Sequence, residues 1–223
     1  MDTLKILVVD DQSLMRQAMT SFVTFEKDME VVAQASDGAE AVNLALQLKP
    51  DVILMDLQMP VMNGIDATSK ITAALPSTKV LAVTTFHSED YVVPALKAGA
   101  SGYIVKDSEP EDIINAIRSV HEGNSVLSPS IARLLVDNLA EEAVERRMTA
   151  TDVYEWSQLT SRERDVVKLL CDGYSNREIA STLFLSEPTV KTHVAHIASK
   201  VDARDRLQIV VKAYRSNVLK TWD

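Results

Sequence analysis

Five polar side chains in the first half of this chain are of types that carry out phosphoryl chemistry, and each follows a short apolar segment. They are Asp10, Asp11, Asp56, Thr84 and Lys106. Three carboxylates repel one another at one site unless a cation lies among them, and a small site of oxygen ligands favours Mg²⁺. A carboxylate beside a metal ion, a hydroxyl group and an ammonium group can act as a nucleophile towards a phosphoryl group.

These side chains come together only if the apolar segments form one parallel sheet. Short apolar segments alternate with stretches of helical period, which is typical of βαβ units, and ligands of such sheets lie at the carboxyl ends of the strands. The predicted strands are 4–9, 30–35, 51–55, 79–84 and 102–105. The predicted helices are 13–26, 38–48, 64–74, 89–98 and 110–122. The sequence therefore predicts an α/β domain with a five-stranded parallel sheet and one pocket at its edge.

Three motifs in this part of the chain resemble the signature of two-component receiver domains. They are Val8-Val9-Asp10-Asp11, Met55-Asp56-Leu57-Gln58-Met59-Pro60 and Gly102-Tyr103-Ile104-Val105-Lys106, which occur in the order and with the spacing of that family. The resemblance implies a flavodoxin-like receiver domain over residues 1–124. It also implies that Asp56 accepts a phosphoryl group from a sensor histidine kinase.

The resemblance further implies a Mg²⁺ site. Asp11 is expected to ligate the ion directly and Asp10 mainly through water. Asp56 and the backbone carbonyl of Gln58 are expected to supply further oxygen ligands. The metal ion and Lys106 would then offset the negative charge on the phosphoryl oxygens.

Two residues are implied as a switch. Thr84 is expected to hydrogen-bond to the phosphoryl group and to shift towards it, and Tyr103 is expected to turn inward into the vacated space. Such a change is a two-state element that local charge biases. The altered face would release or pair the effector domains, so phosphorylation is expected to produce a homodimer.

Composition and charge indicate two domains with different partners. The length of 223 residues fits two domains, and 46% hydrophobic with 25% charged residues fits a soluble protein without a membrane span. The single cysteine, Cys171, excludes an internal disulfide, and no signal peptide is visible, so we expect a cytoplasmic protein. Residues 1–155 carry 12 basic and 24 acidic side chains, a net charge of −12, whereas residues 156–223 carry 11 and 8, a net charge of +3. This split indicates an acidic regulatory part and a mildly basic binding part.

The basic part is predicted to consist of capped helices. Their approximate positions are 161–172, 176–183, 187–200 and 206–217. Thr160–Glu163 and Ser175–Glu178 are capping boxes that start the first two helices. Only residues 184–186 separate the second helix from the third, which is typical of a helix-turn-helix. The sequence thus predicts a small all-α domain of four helices over residues 157–223.

Three motifs of this second domain resemble the LuxR-type effector domain. They are Leu159-Thr160-Ser161-Arg162-Glu163, Ser175-Asn176-Arg177-Glu178-Ile179-Ala180 and Thr189-Val190-Lys191-Thr192-His193-Val194. The whole chain is similar to response regulators of the NarL/FixJ class, which implies a transcription regulator rather than an enzyme. Its expected partner is double-stranded promoter DNA, bound by a dimer on paired half-sites. The last helix is expected to contribute to that dimer through Val210, Val211 and Tyr214, unless these residues pack in the core.

The helical period divides the third helix of this domain into two faces. The stripe that should pack inward consists of Val190, Val194, Ile197 and Val201. The residues expected to reach DNA are Thr189, Lys191, Thr192, His193, Ala195, His196 and Lys200. Relatives often carry a polar or basic residue where Ala195 stands, and alanine offers only an apolar contact, for example with a thymine methyl group.

Residues 125–156 are expected to link the two domains. A short amphipathic helix is predicted in the first half of this linker. Residues 148–156 show no clear period, and we expect them to include flexible backbone. Tyr154 and Trp156 would either dock against one domain or form a hydrophobic staple before the next helix.

Two other classes of protein use part of this pattern. An aspartyl phosphatase also needs acidic residues, lysine, threonine and Mg²⁺. However, the first strand ends in Asp10-Asp11-Gln12 rather than in a nucleophile followed two residues later by an acid. A ligand-gated quorum-sensing regulator shares the C-terminal domain, but it needs an apolar cavity for a lipid-like ligand. A turnover assay with small phosphate esters would separate the phosphatase from a regulator.

Overall fold

The computed structural model describes residues 3–85, 89–124, 126–127 and 149–222. The chain divides into two compact units, Met1–Leu127 and Ser128–Asp223. Each unit has a hydrophobic core of its own. The short helix predicted in the first half of the linker lies outside the described residues.

The first unit is built on a five-stranded parallel sheet in the order β2-β1-β3-β4-β5. Its strands are β1 (Leu4–Val9), β2 (Met29–Ala35), β3 (Val52–Asp56), β4 (Lys79–Thr84) and β5 (Gly102–Val105). Its helices are α1 (Ser13–Thr24), α2 (Gly38–Leu48), α3 (Gly64–Ala74), α4 (Glu89–Lys97) and α5 (Pro110–His121). The strand order reverses between β1 and β3, which is where doubly wound sheets form a ligand crevice. The predicted flavodoxin-like α/β fold is therefore confirmed.

Apolar layers cover both faces of this sheet because successive strand residues point to opposite sides. In β1, Ile6 and Val8 belong to one core, whereas Leu7 and Val9 belong to the other. All four side chains are fully buried. Because an unpaired charge is costly in such a layer, Asp10, Asp56 and Lys106 lie at the carboxyl ends of the strands.

Gly64 sets the distance between the end of β3 and the start of α3. A Cβ atom at this position would lie 1.9 Å from the backbone oxygen of Asp56, a distance that no side chain tolerates. The Gly64 N–H also donates to the Leu57 carbonyl over 3.0 Å. Asn63 caps α3 by accepting a hydrogen bond from the Asp66 N–H. The loop after Asp56 is therefore held closely against the end of its strand.

Within residues 149–222, the second unit consists of helices joined by short turns. Its helices are α6 (Ala150–Ser157), α7 (Ser161–Cys171), α8 (Asn176–Leu183), α9 (Glu187–Lys200), α10 (Arg206–Arg215) and a 3₁₀ helix, Val218–Thr221. The four predicted helices correspond to α7 to α10. Helix α6 is additional, and it occupies most of residues 148–156, where we expected flexible backbone without a helix. Trp156 of α6 is only 2% exposed and packs in the core of this unit.

Side-chain caps determine where these helices begin. The capping boxes of α6, α7 and α8 are Thr149 with Asp152, Thr160 with Glu163, and Ser175 with Glu178. Each cap pairs backbone N–H groups that a helix leaves unsatisfied, and one is worth about 1 kcal/mol. Helix α8 ends at Phe184 in the left-handed conformation, with φ of 55°, and Ser186 caps α9 two residues later. This short connection makes α8 and α9 a helix-turn-helix.

Candidate phosphoacceptor pocket and DNA-binding helix

The structure brings the three predicted carboxylates together at the carboxyl edge of the sheet. Asp10 follows β1, Asp56 ends β3, and Asp11 lies in the loop after β1. One oxygen atom from each carboxylate lies within 4.8 Å of the others. Asp10 and Asp56 are buried and Asp11 is exposed, so solvent reaches the pocket on the Asp11 side.

Lys106 joins two of these carboxylates. Its Nζ atom lies 2.8 Å from Asp56 Oδ2 and 2.6 Å from Asp10 Oδ2. Lys106 follows β5, and its backbone N–H donates to the Thr84 carbonyl over 2.8 Å, which joins the ends of β4 and β5. The strand ends therefore place an ammonium group within reach of two buried carboxylates, as the sequence pattern predicted.

The pocket holds more negative charge than its lysine balances. Burial raises the pKa of Asp56, and the hydrogen bond and charge of Lys106 offset only part of this effect, while the charge of Asp10 adds to it. Burial alone would lower the pKa of Lys106, but its contacts with Asp10 and Asp56 outweigh burial and raise it. Both groups thus hold their protons more tightly than usual, and a divalent cation would relieve the imbalance.

The arrangement of oxygen atoms suits a small, hard cation. Asp10 Oδ1 accepts a hydrogen bond from the Gln12 N–H over 2.9 Å. The buried Asp10 Oδ2 contacts Lys106 Nζ over 2.6 Å and has no other hydrogen-bond partner among the described residues. Asp11 and Gln58 line a cavity of about 400 Å³. These oxygen donors fit Mg²⁺, and ligation by the Gln58 carbonyl stays a prediction.

Both predicted switch residues are buried. Thr84 is 1% exposed at the end of β4, and Tyr103 is 5% exposed in β5. Burial raises the pKa of Tyr103 to about 12, so its hydroxyl group stays protonated at neutral pH. The tyrosine ring thus already lies inward, in the kind of position that we expected it to reach after phosphorylation. The coupled movement of the two side chains stays a prediction.

Arg16 supports the pocket, a role that was not predicted from the sequence. Its Nη1 atom donates to the backbone carbonyl of Asp10 over 2.6 Å, which steadies the loop that carries Asp11. Helix α1 has no side-chain cap, so this bond and the one from Gln12 to Asp10 hold its start. The sequence offers only a weak signal, which is a basic residue one helical turn beyond the loop.

The two predicted faces of α9 are present in the structure. The inward residues are Val190, Ile197 and Val201, which are fully buried, and Val194, which is partly buried. The exposed residues among the predicted DNA contacts are Thr189, Lys191, Thr192, Ala195 and His196. His193 is half-buried beside them. One side of α9 is therefore available to a major groove, and contact with DNA stays a prediction.

Lys200, one of the predicted DNA contacts, forms an ion pair with another helix of the second unit. Its Nζ atom lies 2.8 and 2.7 Å from the two carboxylate oxygens of Glu163. Burial would raise the pKa of Glu163, but hydrogen bonds from Lys200 and Thr160 outweigh burial and lower it. The ammonium group thus joins α9 to α7, and contact of Lys200 with DNA stays a prediction.

Helix α10 belongs to the core of the second unit. Val210 and Val211 are 9% and 2% exposed. Tyr214 packs against the same core cluster as Val210, and its hydroxyl group donates to the Cys171 carbonyl over 3.4 Å. Of the two roles that the sequence left open for these residues, the structure favours core packing.

Family models identify both units. Residues 6–118 match the response regulator receiver domain, and residues 157–213 match the luxR family of bacterial regulatory proteins. Together the two matches span well over half of the chain. They account for the acidic pocket and the helix-turn-helix at once, which neither alternative class does.

Relatives and a solved structure match over nearly the full length. The chain is 39% identical over 216 residues to the transcriptional regulatory protein LnrK of Bacillus subtilis (strain 168), which covers 96% of this chain and 98% of that protein. It is 39% identical over 218 residues to the response regulator protein VraR of Staphylococcus aureus (strain NCTC 8325 / PS 47), which covers 98% and 100%. The crystal structure of the response regulator ChrA in a heme-sensing two-component system matches with a TM-score of 0.52 and 31% identity, covering 98% and 100%.

In the part of the chain that the structure describes, every helix is too short or too polar to cross a membrane.

The receiver match places Asp10, Asp11, Asp56 and Lys106 within a regulatory domain, and the luxR-family match includes all of α9. The chain therefore belongs to the two-component response regulators that join a receiver domain to a LuxR-type DNA-binding domain, and it regulates transcription.

Proposed function

We propose that this protein is switched by phosphorylation of Asp56 and that the phosphorylated form binds paired promoter half-sites as a dimer. The phosphoryl donor is a sensor histidine kinase, and the response is a change in promoter DNA binding. The observation that carries the proposal is the position of Lys106 Nζ, 2.8 Å from Asp56 Oδ2 and 2.6 Å from Asp10 Oδ2, within a cluster of three carboxylates.

The chemistry follows from what each side chain offers. A carboxylate oxygen of Asp56 attacks the phosphorus, a P–O bond forms, and the P–N bond to the kinase histidine breaks, leaving a neutral imidazole after protonation. Lys106 donates to the phosphoryl oxygens, where negative charge develops. Asp10, Asp11 and the Gln58 carbonyl would hold Mg²⁺, which supplies further positive charge when bound. Thr84 donates its hydroxyl hydrogen to the same oxygens.

We propose that Thr84 and Tyr103 transmit the phosphorylation of Asp56 to the surface of the receiver domain. Thr84 and Tyr103 lie on neighbouring strands, because residues 81–84 of β4 pair with residues 102–105 of β5. A phosphoryl group on Asp56 changes the charge at the end of these strands and biases their side chains between two arrangements. We propose that the changed surface recruits a second copy, so that two α9 helices reach two half-sites together.

Asp56→Asn is expected to abolish phosphorylation, because an amide oxygen does not attack phosphorus as a carboxylate does. Incubation of the wild type with acetyl phosphate and Mg²⁺ should add one phosphoryl group by intact-mass measurement, and the variant should gain none. Asp66→Asn is the matched control, since Asp66 is an exposed aspartate in α3, outside the pocket. If Asp56→Asn still gains one phosphoryl group, Asp56 is not the phosphoacceptor.

Lys191→Ala is expected to weaken specific DNA binding without unfolding the domain. Loss of a phosphate contact should reduce the slope of the logarithm of the binding constant against the logarithm of salt concentration by about one. Loss of a base contact should instead weaken the binding free energy by roughly 1–3 kcal/mol and relax the sequence preference at one operator position. Fluorescence anisotropy at several salt concentrations measures both. Lys220→Ala removes an exposed lysine from the 3₁₀ helix and serves as the control. If Lys191→Ala binds like the wild type at every salt concentration, the face of α9 is assigned wrongly.

A further inference from the structure

We propose that a slot beside the phosphoacceptor pocket holds the imidazole ring that leaves during phosphoryl transfer, and that Tyr91 sets the preference for such a ring. This donor slot is the cavity of about 400 Å³ whose walls include Asp11, Gln58, Met59, Pro60, Ile65 and Tyr91. The inference rests on the proposed phosphorylation of Asp56 and deepens it by assigning the side of the pocket that receives the donor. The juxtaposition that carries it is an aromatic ring and apolar side chains next to an acidic pocket.

The chemistry of the transfer fixes where the leaving group must lie. The attacking and leaving atoms lie roughly in line, on opposite sides of the phosphorus. Asp56 is buried at the end of β3 and attacks from inside the pocket, so the leaving group lies on the exposed side, where Asp11 meets solvent. Asp11 is also part of the wall of the donor slot. The slot is therefore next to the position of the leaving group.

The walls of the donor slot suit a flat, uncharged ring. Met59 and Ile65 are half-buried and Pro60 is exposed, and their carbon and sulfur atoms form part of the wall. Tyr91, in the first turn of α4, is the one aromatic residue among the described residues that line the slot. Aromatic faces stack on one another, and a methionine sulfur makes favourable contacts with an aromatic ring. An imidazole ring finds both kinds of partner here.

Charge distinguishes an imidazole donor from an acyl phosphate. Lys106 and a bound Mg²⁺ only balance the three carboxylates of the pocket, so the charge of the phosphoryl group is added without compensation. In phosphohistidine protonated on its second ring nitrogen, the P–N bond breaks with its electron pair on nitrogen, and neutral imidazole leaves. In acetyl phosphate, the P–O bond breaks and acetate leaves with a negative charge. The pocket therefore repels acetate and not the neutral ring.

The loop that forms one wall of the donor slot is held in place before a donor arrives. The Gly38 N–H donates to the Met62 carbonyl over 3.0 Å, and a Cβ atom on Gly38 would lie 2.6 Å from that oxygen. The Met62 N–H donates to the Pro60 carbonyl over 2.7 Å, across Val61 in a left-handed conformation with φ of 66°. Such a three-residue turn is rare and strained, and it persists only where its surroundings hold it. Because this wall is already ordered, little conformational entropy is lost when a ring enters.

The test compares two small donors that differ in their leaving group. The full-length wild type, Tyr91→Ala and Tyr91→Phe are incubated with Mg²⁺ and either phosphoimidazole or acetyl phosphate, and intact-mass time courses give the second-order rate constant of labelling. Tyr91→Ala should lower the rate constant for phosphoimidazole about 5-fold, the value of one aromatic stacking contact, and that for acetyl phosphate by less than about 2-fold. Tyr91→Phe keeps the ring and should react like the wild type with both donors. Leu46→Ala, which truncates an exposed leucine of α2, is the control and should change neither rate constant.

The outcomes separate this proposal from the one on which it rests. If neither donor labels the wild type at Asp56, the phosphorylation itself fails, and the donor slot is abandoned with it. If the wild type is labelled but Tyr91→Ala loses the same factor with both donors, or with neither, Tyr91 does not contact the leaving ring, and this inference is wrong while the phosphorylation stands. Both donors react at Asp56 beside Lys106, so a general disturbance of the pocket lowers both rate constants. A loss in Tyr91→Phe as large as in Tyr91→Ala would assign the effect to the hydroxyl group and contradict stacking.

Discussion

Beryllofluoride is expected to tighten binding to a duplex with two half-sites by about 10²–10⁴-fold and to change binding to a single half-site little. The reason is that pairing of receiver domains makes the second α9–DNA contact intramolecular, and no new base contact is needed. Genome-wide DNA capture with the wild type and with Asp56→Ala provides the operator. Anisotropy titrations on one-site and two-site duplexes, with and without beryllofluoride, then measure the ratio.

The control for this result is the molecular mass under the same conditions. Light scattering should show a dimer only in the loaded protein. If the loaded protein is monomeric and yet binds a single half-site more tightly, the switch acts by uncovering α9, and the account based on pairing is wrong.

Trp156→Ala is expected to destabilise the second unit by about 3–5 kcal/mol, the usual cost of removing a large buried aromatic side chain. Trp156 is 2% exposed, and its ring meets that of Trp222 edge to face with centroids 5.7 Å apart. Glu155 of the same helix also pairs with Lys212 of α10 over 3.0 Å. Helix α6 should therefore unfold together with the DNA-binding helices.

Fluorescence suits the measurement, because both tryptophans of the chain lie in the second unit. Urea unfolding of Trp156→Ala can be followed through Trp222, and hydrogen exchange should show lost protection in α7 and α10 but not in the sheet of the first unit. Tyr154→Ala is the matched control, since Tyr154 is 67% exposed and neighbours Trp156 in α6. Equal unfolding midpoints for the two variants would mean that α6 is only a connecting segment.

The pocket was predictable because its geometry follows from strand ends. Strands buried on both faces appear in the sequence as short apolar runs, and parallel pairing brings their carboxyl ends together. Asp10, Asp56 and Lys106 could therefore be placed at one site from the sequence alone. The contact of Arg16 with the Asp10 carbonyl was not predictable, since it depends on how a long side chain folds back over one loop.

Helix α6 could not be predicted from hydrophobic periodicity. Its apolar residues do not follow a helical period, because Val153 and Tyr154 are exposed while Trp156 alone turns inward. The usable signal was the capping pair of Thr149 and Asp152, in which aspartate takes the place more often held by glutamate.

The ion pair between Lys200 and Glu163 could not be predicted from the sequence either. It joins α9 to α7 across 37 positions of sequence. Periodicity assigns a residue to one face of its own helix, but it does not report which other helix lies beside that face.

The order of strands in the sheet also affects how fast each half of the chain folds. Strand β1 pairs with β3, so Leu7 must find Ile53 before the centre of the sheet exists. The helices of the second unit instead start from caps between residues three positions apart, such as Thr160 with Glu163. Contacts between distant residues slow folding, and contacts between neighbours speed it. During refolding, the receiver half should thus be the last to form and the part whose unpaired strands are most exposed to aggregation.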